Sequence, residues 1–149
     1  MNILSIATSG LSAASLRVNV AASNIANVST TGPLPASGGS STSAGAGSSS
    51  TSSTYPAAYV PLRVDQVDQS SGSTPGGTIA KVSTVSPSYT AQSDPNAPFA
   101  NQDGLVAAPN VDLASELVQL ATAKYSFIAN AKVIQAYSET TESLLDIKT

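Results

Sequence analysis

Few side chains in this sequence could carry out chemistry. Asp65 and Asp68 lie three positions apart, close enough to be considered as a carboxylate pair for acid–base work. The sequence has no His and no Cys, which excludes thiol chemistry, disulfides, the usual zinc sites and His-based catalysis. With no metal cluster beside them, Asp65 and Asp68 are better interpreted as solvated residues at the end of a strand. We therefore expect no enzyme, no catalytic or metal site and no cofactor.

Composition narrows the class further. The chain has 149 residues, 10% of them charged, and a net charge of −3, which suits one small domain with appended helices. Only six Lys and Arg are present, so the basic patch of a nucleic-acid-binding protein is lacking. Large aromatic side chains are scarce, with five Tyr, two Phe and no Trp. An apolar fraction carried by Ala, Val, Leu and Ile favours thin helix–helix seams over one thick core.

The first segment, from about Asn2 to Asn27, predicts a long helix. Two sets of apolar residues recur at steps of seven, three positions apart, as in the a and d positions of a coiled coil: Leu4, Leu11, Val18 and Ile25, then Ala7, Ala14, Ala21 and Val28. Asn2 is a candidate N-cap, and Gly32-Pro33 favours the end of the helix. Arg17 and recurrent polar residues indicate neither a cleaved signal nor a membrane span.

The last segment, from Val111 to about Lys148, predicts a second long helix. Pro109 marks its boundary, Asn110 is a candidate cap, and Asp112 and Glu116 suit the positive end of its dipole. Its apolar stripe follows spacings of three, four and seven: Leu113, Leu117, Leu120, Phe127, Ala131, Ile134 and Leu145. Lys124 interrupts this stripe.

One reversal of the chain would make the two helices antiparallel. Leu4 would then face Thr141–Leu145, Ile25 would face Leu117–Leu120, and Val18 would lie near Phe127. Neither helix can bury its remaining faces in so short a chain, so we expect lateral partners. An isolated helical hairpin explains the same periodicity equally well.

The middle of the chain divides into a polar tract and a small β region. Residues 36–54 contain only Ser, Thr, Gly and Ala, which predicts a flexible loop. The alternating stretch around Val60 to Asp65 and the stretch Thr78 to Ser86 predict two strands of a long-looped hairpin, and Pro87 to Pro109 is expected to be an extended connection. The predicted fold is mainly α: helix 1–30, flexible insertion 31–54, β region 55–108 and helix 109–149.

Motifs at both ends resemble the flagellar axial proteins, the family of rod, hook and hook-associated subunits. At the front they are Ser9-Gly10-Leu11-Ser12-Ala13, the run Arg17 to Asn27 with Asn24 and Asn27, and Thr30-Thr31-Gly32. At the back they are Gly104-Leu105-Val106, Pro109-Asn110-Val111-Asp112-Leu113, Glu116-Leu117-Val118 and Ala129-Asn130. The short length and the Pro-Asn-Val-Asp form point to the C-type rod proteins of the proximal rod.

The resemblance implies a structural subunit of the rotating drive shaft. Family members are exported from the cytoplasm through the flagellar type III export apparatus without a cleaved signal. They assemble in the periplasm into a tube whose inner wall is a coiled-coil layer of terminal helices, which carries torque and encloses the export channel. The implied partners are further copies, the B-type, F-type and distal rod proteins, a basal-body adaptor protein and the export apparatus, with no nucleic acid and no membrane insertion.

Three matters stay open at the level of sequence. Asn19, Asn24, Asn27 and Asn130 could set helix register through hydrogen bonds or could simply be solvated. The tract after Pro33-Leu34-Pro35 departs from the family pattern, in which a Tyr-Arg type sequence follows Thr-Gly, and Tyr59 to Arg63 looks like the displaced continuation. Another axial protein, or a soluble helical adaptor or chaperone of the export system, remains the alternative function.

Overall fold

The computed structural model describes residues 3–35, 55–69 and 76–147. Its elements, in chain order, are α1 (Ile3–Ala26), β1 (Leu62–Asp68), β2 (Thr78–Thr84), β3 (Tyr89–Ser93), β4 (Leu105–Pro109) and α2 (Leu113–Asp146). Two helices with two small antiparallel strand pairs make the fold mainly helical with a β region, as predicted. The polar tract 36–54, the candidate cap Asn2 and the predicted helix end at Lys148 lie outside the described residues.

The second helix begins two residues later than predicted, and Asp112 caps it rather than Asn110. The Asp112 backbone is extended, and its Oδ1 accepts a hydrogen bond from the Ala114 N–H at 3.1 Å. An Asp at this position satisfies one of the unpaired N–H groups of the first turn. Asn110 is instead used by the preceding strand pair: its N–H donates to Ser88 O and its Nδ2 to Pro87 O.

The chain separates into two compact units made of non-consecutive segments. Unit 1 contains Met1–Ile25, Leu62–Thr84 and Asp112–Thr149, and unit 2 contains Ala26–Pro61 and Val85–Val111. Unit 1 therefore holds both helices and the β1–β2 pair. Each unit is stabilised by contacts between segments that are far apart in sequence.

The predicted hairpin of unit 1 is confirmed. β1 pairs antiparallel with β2 from Leu62↔Thr84 to Asp68↔Thr78. Gln69 and Gly77 extend the pairing by one hydrogen bond beyond the strands, at 3.1 Å. Two strands alone are marginally stable in water, so the hairpin depends on the helices to which it is bonded.

The expectation of a merely extended connection over Pro87–Pro109 was wrong. This stretch contains β3 and β4, paired antiparallel from Tyr89↔Pro109 to Ser93↔Leu105. Gly32 adds an isolated bridge to Ala107, with hydrogen bonds in both directions. Burial explains why alternation was absent: β4 buries four successive residues, so it is apolar on both faces and reads as a continuous run.

By length and composition α1 also reaches the threshold for a membrane span, with a mean hydropathy of 1.2 in its most apolar window. The same threshold is passed by core helices of soluble proteins. In this structure α1 carries buried alanines and a fully buried Asn24 that bonds to other parts of unit 1. Through these contacts α1 packs within unit 1.

Candidate assembly interface

Asn24 joins three elements of unit 1. The residue is completely buried. Its Nδ2 donates to Leu62 O at 2.7 Å and to Glu116 Oε1 at 2.8 Å, and its Oδ1 accepts from the Leu62 N–H at 3.1 Å. The carboxamide thus occupies both backbone groups of Leu62, as a neighbouring strand would. Of the two interpretations of Asn24, the structure supports the hydrogen-bonded one.

A second contact between the helices lies at Gly10. A Cβ added there would come within 2.6 Å of Asn130 Oδ1 and 2.7 Å of its Nδ2, distances that real Cβ atoms do not tolerate. Asn130 is itself held, because its Nδ2 donates to Ser126 O at 2.8 Å. Gly10, unfavourable for a helix by about 1 kcal/mol relative to Ala, is therefore explained by this close approach.

These two contacts fix the direction and register of the helices. Gly10 and Asn24 are fourteen positions apart, and so are their partners Asn130 and Glu116, in the opposite order. The helices are therefore antiparallel along this stretch, and Leu4 lies level with about residue 136. The predicted register, with Leu4 facing Thr141–Leu145, was wrong by about five residues because heptad counting gives no weight to polar contacts.

The predicted positions on α1 differ in burial. The alanines Ala7, Ala14 and Ala21 are buried, whereas Leu4, Leu11, Val18 and Ile25 are half-buried. Ala13, Val20 and Asn24 are buried as well. The face that α1 buries within its own chain is therefore rotated away from the larger residues, whose side chains stay accessible.

The predicted positions on α2 are largely exposed. Among the described residues of α2, only Ala123 is buried. Leu120 and Ile134 are half-buried, whereas the remaining stripe residues are exposed: Leu113, Leu117, Phe127, Ala131 and Leu145. A long helix with so much accessible apolar surface indicates an interaction site.

Part of that surface is a groove between the helices. It has a volume of about 490 Å³ and is lined by Ser15, Val18, Leu120, Lys124, Phe127 and Ile128. Val18 and Phe127, expected to be near one another, both line it. Ala123 is buried beside these positions, and its small side chain lets α1 and α2 approach closely. The predicted stripe did not include Ala123 because it was built mainly on large apolar residues.

The remaining motif residues serve unit 2 and the start of α2. Gly32 is bonded to Ala107, and a Cβ there would collide with the backbone of Ala57 and Ala58. Pro109 ends β4 and is buried, and Val111 and Asn27 are half-buried. These motif residues therefore serve backbone pairing and the start of α2. Within the described part of the chain, no group of His, Cys, Asp and Glu is arranged to hold a metal ion.

Comparison with known proteins identifies the family. Residues 4–33 match the family model of flagella basal body rod proteins, and residues 102–147 match the C-terminal model of the flagellar basal body rod FlgEFG proteins. The flagellar basal-body rod protein FlgC of Salmonella typhimurium is 37% identical over 138 residues, covering 90% of this chain and 87% of the relative. FlgC of Yersinia enterocolitica is 35% identical over 147 residues, covering 97% and 92%.

The chain belongs to the FlgC family of flagellar basal-body rod proteins. FlgC of Escherichia coli O157:H7 is similar to the same extent, at 36% identity over 138 residues. The two matched regions are α1 with its exit and β4 with α2. As a FlgC-family member the chain is a structural subunit of the flagellar basal-body rod, and not an enzyme.

Proposed function

We propose that the chain is a subunit of the proximal rod and that its two terminal helices form a coiled-coil layer in the wall of a tube. The observation that carries this proposal is the exposure of the α2 stripe in a single chain, with Leu117 51% and Phe127 44% accessible. Burial of apolar surface is worth about 25 cal/mol per Å², so the exposed stripe favours association with neighbouring subunits. Packing between such helices would carry torque and leave the centre of the tube open for export.

The proposed neighbours are further copies of the chain, the B-type, F-type and distal rod proteins, and a basal-body adaptor protein. Export through the flagellar type III apparatus, without a cleaved signal, would deliver the subunit to the periplasm without membrane insertion. The relatives support the C type over a B-type or distal-rod subunit.

A deletion strain tests the function. Removal of the gene, in a strain with no paralogue, should abolish motility and leave cells without hooks or filaments in electron micrographs. The plasmid-borne gene should restore both. Normal hooks in the deletion strain would contradict the proposal, as would an intact rod lacking this chain in density from isolated basal bodies.

Leu117→Glu separates assembly from folding. Leu117 is exposed within the chain, so the substitution should change the free energy of unfolding by less than about 0.5 kcal/mol. A charge placed in a helix interface should nevertheless abolish motility. Gln119→Glu, at an exposed polar position two residues away, is the matched control and should swim normally. Normal motility of the Leu117→Glu variant would show that this stripe is not part of the assembly interface.

A further inference from the structure

The strand pair of unit 2 is closed along its β4 edge. Three residues of β4 direct their backbone groups away from β3, and each is satisfied elsewhere. Ala107 exchanges two hydrogen bonds with Gly32. Leu105 exchanges two with Asn101, one of them to its side-chain Oδ1 at 2.8 Å. Pro109 has no N–H, and its C=O accepts a hydrogen bond from two residues further on. This edge therefore has no place for another strand.

The β3 edge of the same pair is open. Ser88 and Asp94, which flank β3, are hydrogen-bonded across the pair. By the alternation of an antiparallel ladder, Tyr89, Ala91 and Ser93 therefore point their N–H and C=O groups away from β4. In the part of the chain that the structure describes, no segment is bonded to these groups. All five residues of β3 are exposed and uncharged, and such an edge is a template for a further strand.

The hairpin of unit 1 has an open edge of the same length. The hydrogen bonds that flank its strands fall on odd-numbered residues, so Ala80, Val82 and Thr84 point their N–H and C=O groups outward from β2. Among the described residues, none is bonded to these groups. Further along this edge, the Thr78 N–H is already bonded to Ser9 Oγ at 3.2 Å. The open stretch of β2 thus contains three outward residues, as does that of β3.

The side chains along the two edges fit one another. Antiparallel pairing would oppose three pairs of residues: Thr84 with Tyr89, Val82 with Ala91, and Ala80 with Ser93. Val82 and Tyr89, 44% and 37% exposed, would become neighbours on one face of the joined sheet. Aromatic and β-branched neighbours across strands stabilise a sheet. The three pairs would also supply about six backbone hydrogen bonds.

Charge favours β2 over β1 as the partner of β3. In this register Lys81 lies diagonally across from Asp94, within reach of a long side chain. Neither residue takes part in an ion pair within the described ranges. The corresponding pairing with the outer edge of β1 would instead place Asp65 diagonally across from Asp94, and like charges at such positions are destabilising.

The partner strand comes from a second copy of the chain. Within one chain β2 and β3 belong to separate two-stranded sheets. Pairing of β3 with β3 of another copy would be a closed two-fold contact, which uses the same edge twice and cannot be repeated. Pairing of β3 with β2 joins two different surfaces, so it can recur from one copy to the next.

We propose that β2 of one copy adds to the open edge of β3 in another, so that two neighbouring subunits share a four-stranded sheet in the order β1, β2, β3, β4. This contact rests on the proposed rod function and lies outside the terminal helices. It gives the two small strand pairs, each marginally stable alone, a common role in joining subunits.

A disulfide between copies tests the contact directly, because the chain contains no Cys of its own. Val82 and Ala91 would form a hydrogen-bonded pair with Cα atoms about 5.5 Å apart, a separation that a disulfide spans. Two differently tagged full-length chains, one with Val82→Cys and the other with Ala91→Cys, are co-expressed in the deletion strain and oxidised in isolated basal bodies. A mixed disulfide is expected, and Thr84→Cys with Tyr89→Cys should give one in the same register.

The matched control uses Val67→Cys in place of Val82→Cys. Val67 is an exposed valine of the same hairpin, at 51%, but lies on β1 and should give no disulfide with Ala91→Cys. Equal yields from both pairs would overturn the proposal. A single chain with both Val82→Cys and Ala91→Cys should form a ladder of linked copies, and a disulfide closed within that chain would also overturn the contact between copies.

Charge reversal supplies the second test. Lys81→Glu in the Val82→Cys chain should lower the yield of the mixed disulfide by up to about fivefold. Asp94→Lys in the Ala91→Cys chain should restore the yield, because the opposite charges face one another again. An unchanged yield with Lys81→Glu, or a loss that Asp94→Lys does not restore, would overturn the proposed pairing.

The outcomes separate this contact from the rod function. Rods that give no mixed disulfide, from a strain whose deletion abolishes hooks, would overturn the shared sheet and leave the rod function standing. Normal hooks in the deletion strain would instead remove the rod function itself.

Discussion

Asn24→Ala is the substitution with the clearest structural consequence. It removes three hydrogen bonds and leaves the Leu62 N–H, the Leu62 C=O and one Glu116 oxygen without their partner. An unsatisfied buried group costs about 1–3 kcal/mol. Leu62 is half-buried and Glu116 can turn toward water, so we take the lower part of that range. The free energy of unfolding should fall by about 2–4 kcal/mol, a large share of a typical total of about 5–15 kcal/mol.

Urea unfolding of the full chain, followed by circular dichroism at 222 nm, measures this loss. With a slope of about 1–3 kcal/mol per M, the midpoint should fall by about 1–2 M, or the helical signal should already be reduced without urea. Asn19→Ala is the matched control, since Asn19 is exposed on the same helix and should cost less than about 1 kcal/mol.

Two further variants separate the pairwise terms. Glu116→Gln keeps an acceptor oxygen for Asn24 and should cost less than Glu116→Ala. A double-mutant cycle between Asn24→Ala and Glu116→Ala should give a coupling energy of about 0.5–3 kcal/mol. If Asn24→Ala unfolds with the same midpoint as Asn19→Ala, the buried carboxamide does not hold the three elements together, and the register derived from it fails with it.

Three other predictions concern the Gly10–Asn130 contact, the Asp112 cap and the exposed surface of α2. Gly10→Ala should destabilise the chain in urea despite the gain in helix propensity, and Gly10→Ala with Asn130→Ala should recover stability because the clashing amide is gone; a more stable single variant would refute the close approach. Asp112→Ala should cost about 1 kcal/mol in the same assay while Asp112→Ser costs less, since Ser can still cap; equal losses would argue against capping. Helicity of the chain should rise with protein concentration, because α2 lacks partners when diluted, and a constant signal would favour the soluble-adaptor alternative.

Periodicity predicted the two helices to within a few residues and the β1–β2 hairpin, because each has a local signal. The apolar repeat defines α1, and alternation around Val64 defines β1. Capping by Asp112 and the pairing of β3 with β4 were missed. Pro109 and Asn110 look like a helix start in isolation, and β4 has no alternating face because it is buried on both sides.

The register was missed for a different reason. It depends on Asn24 meeting Glu116 and Gly10 meeting Asn130, contacts between residues about a hundred positions apart. The motif positions Gly10, Asn24 and Asn130 were visible in the sequence, but their partners were not. The division into segments 1–30, 31–54, 55–108 and 109–149 remains a prediction. So does the assignment of the apolar helix stripes to an assembly interface, which a structure of the assembled rod would test.

The residues that form the interior are small. Among the described residues the buried apolar side chains are seven alanines, the valines Val20 and Val106, and the prolines Pro61 and Pro109. A buried methylene contributes only about 0.8 kcal/mol. Little mechanical work is then needed to pull a single chain straight, whereas a subunit embedded among neighbours would also have to strip the large side chains of α2 from theirs. If the chain is exported in extended form, as proposed above, it would be easy to unfold before incorporation and hard to extract afterwards, which would make its incorporation effectively irreversible.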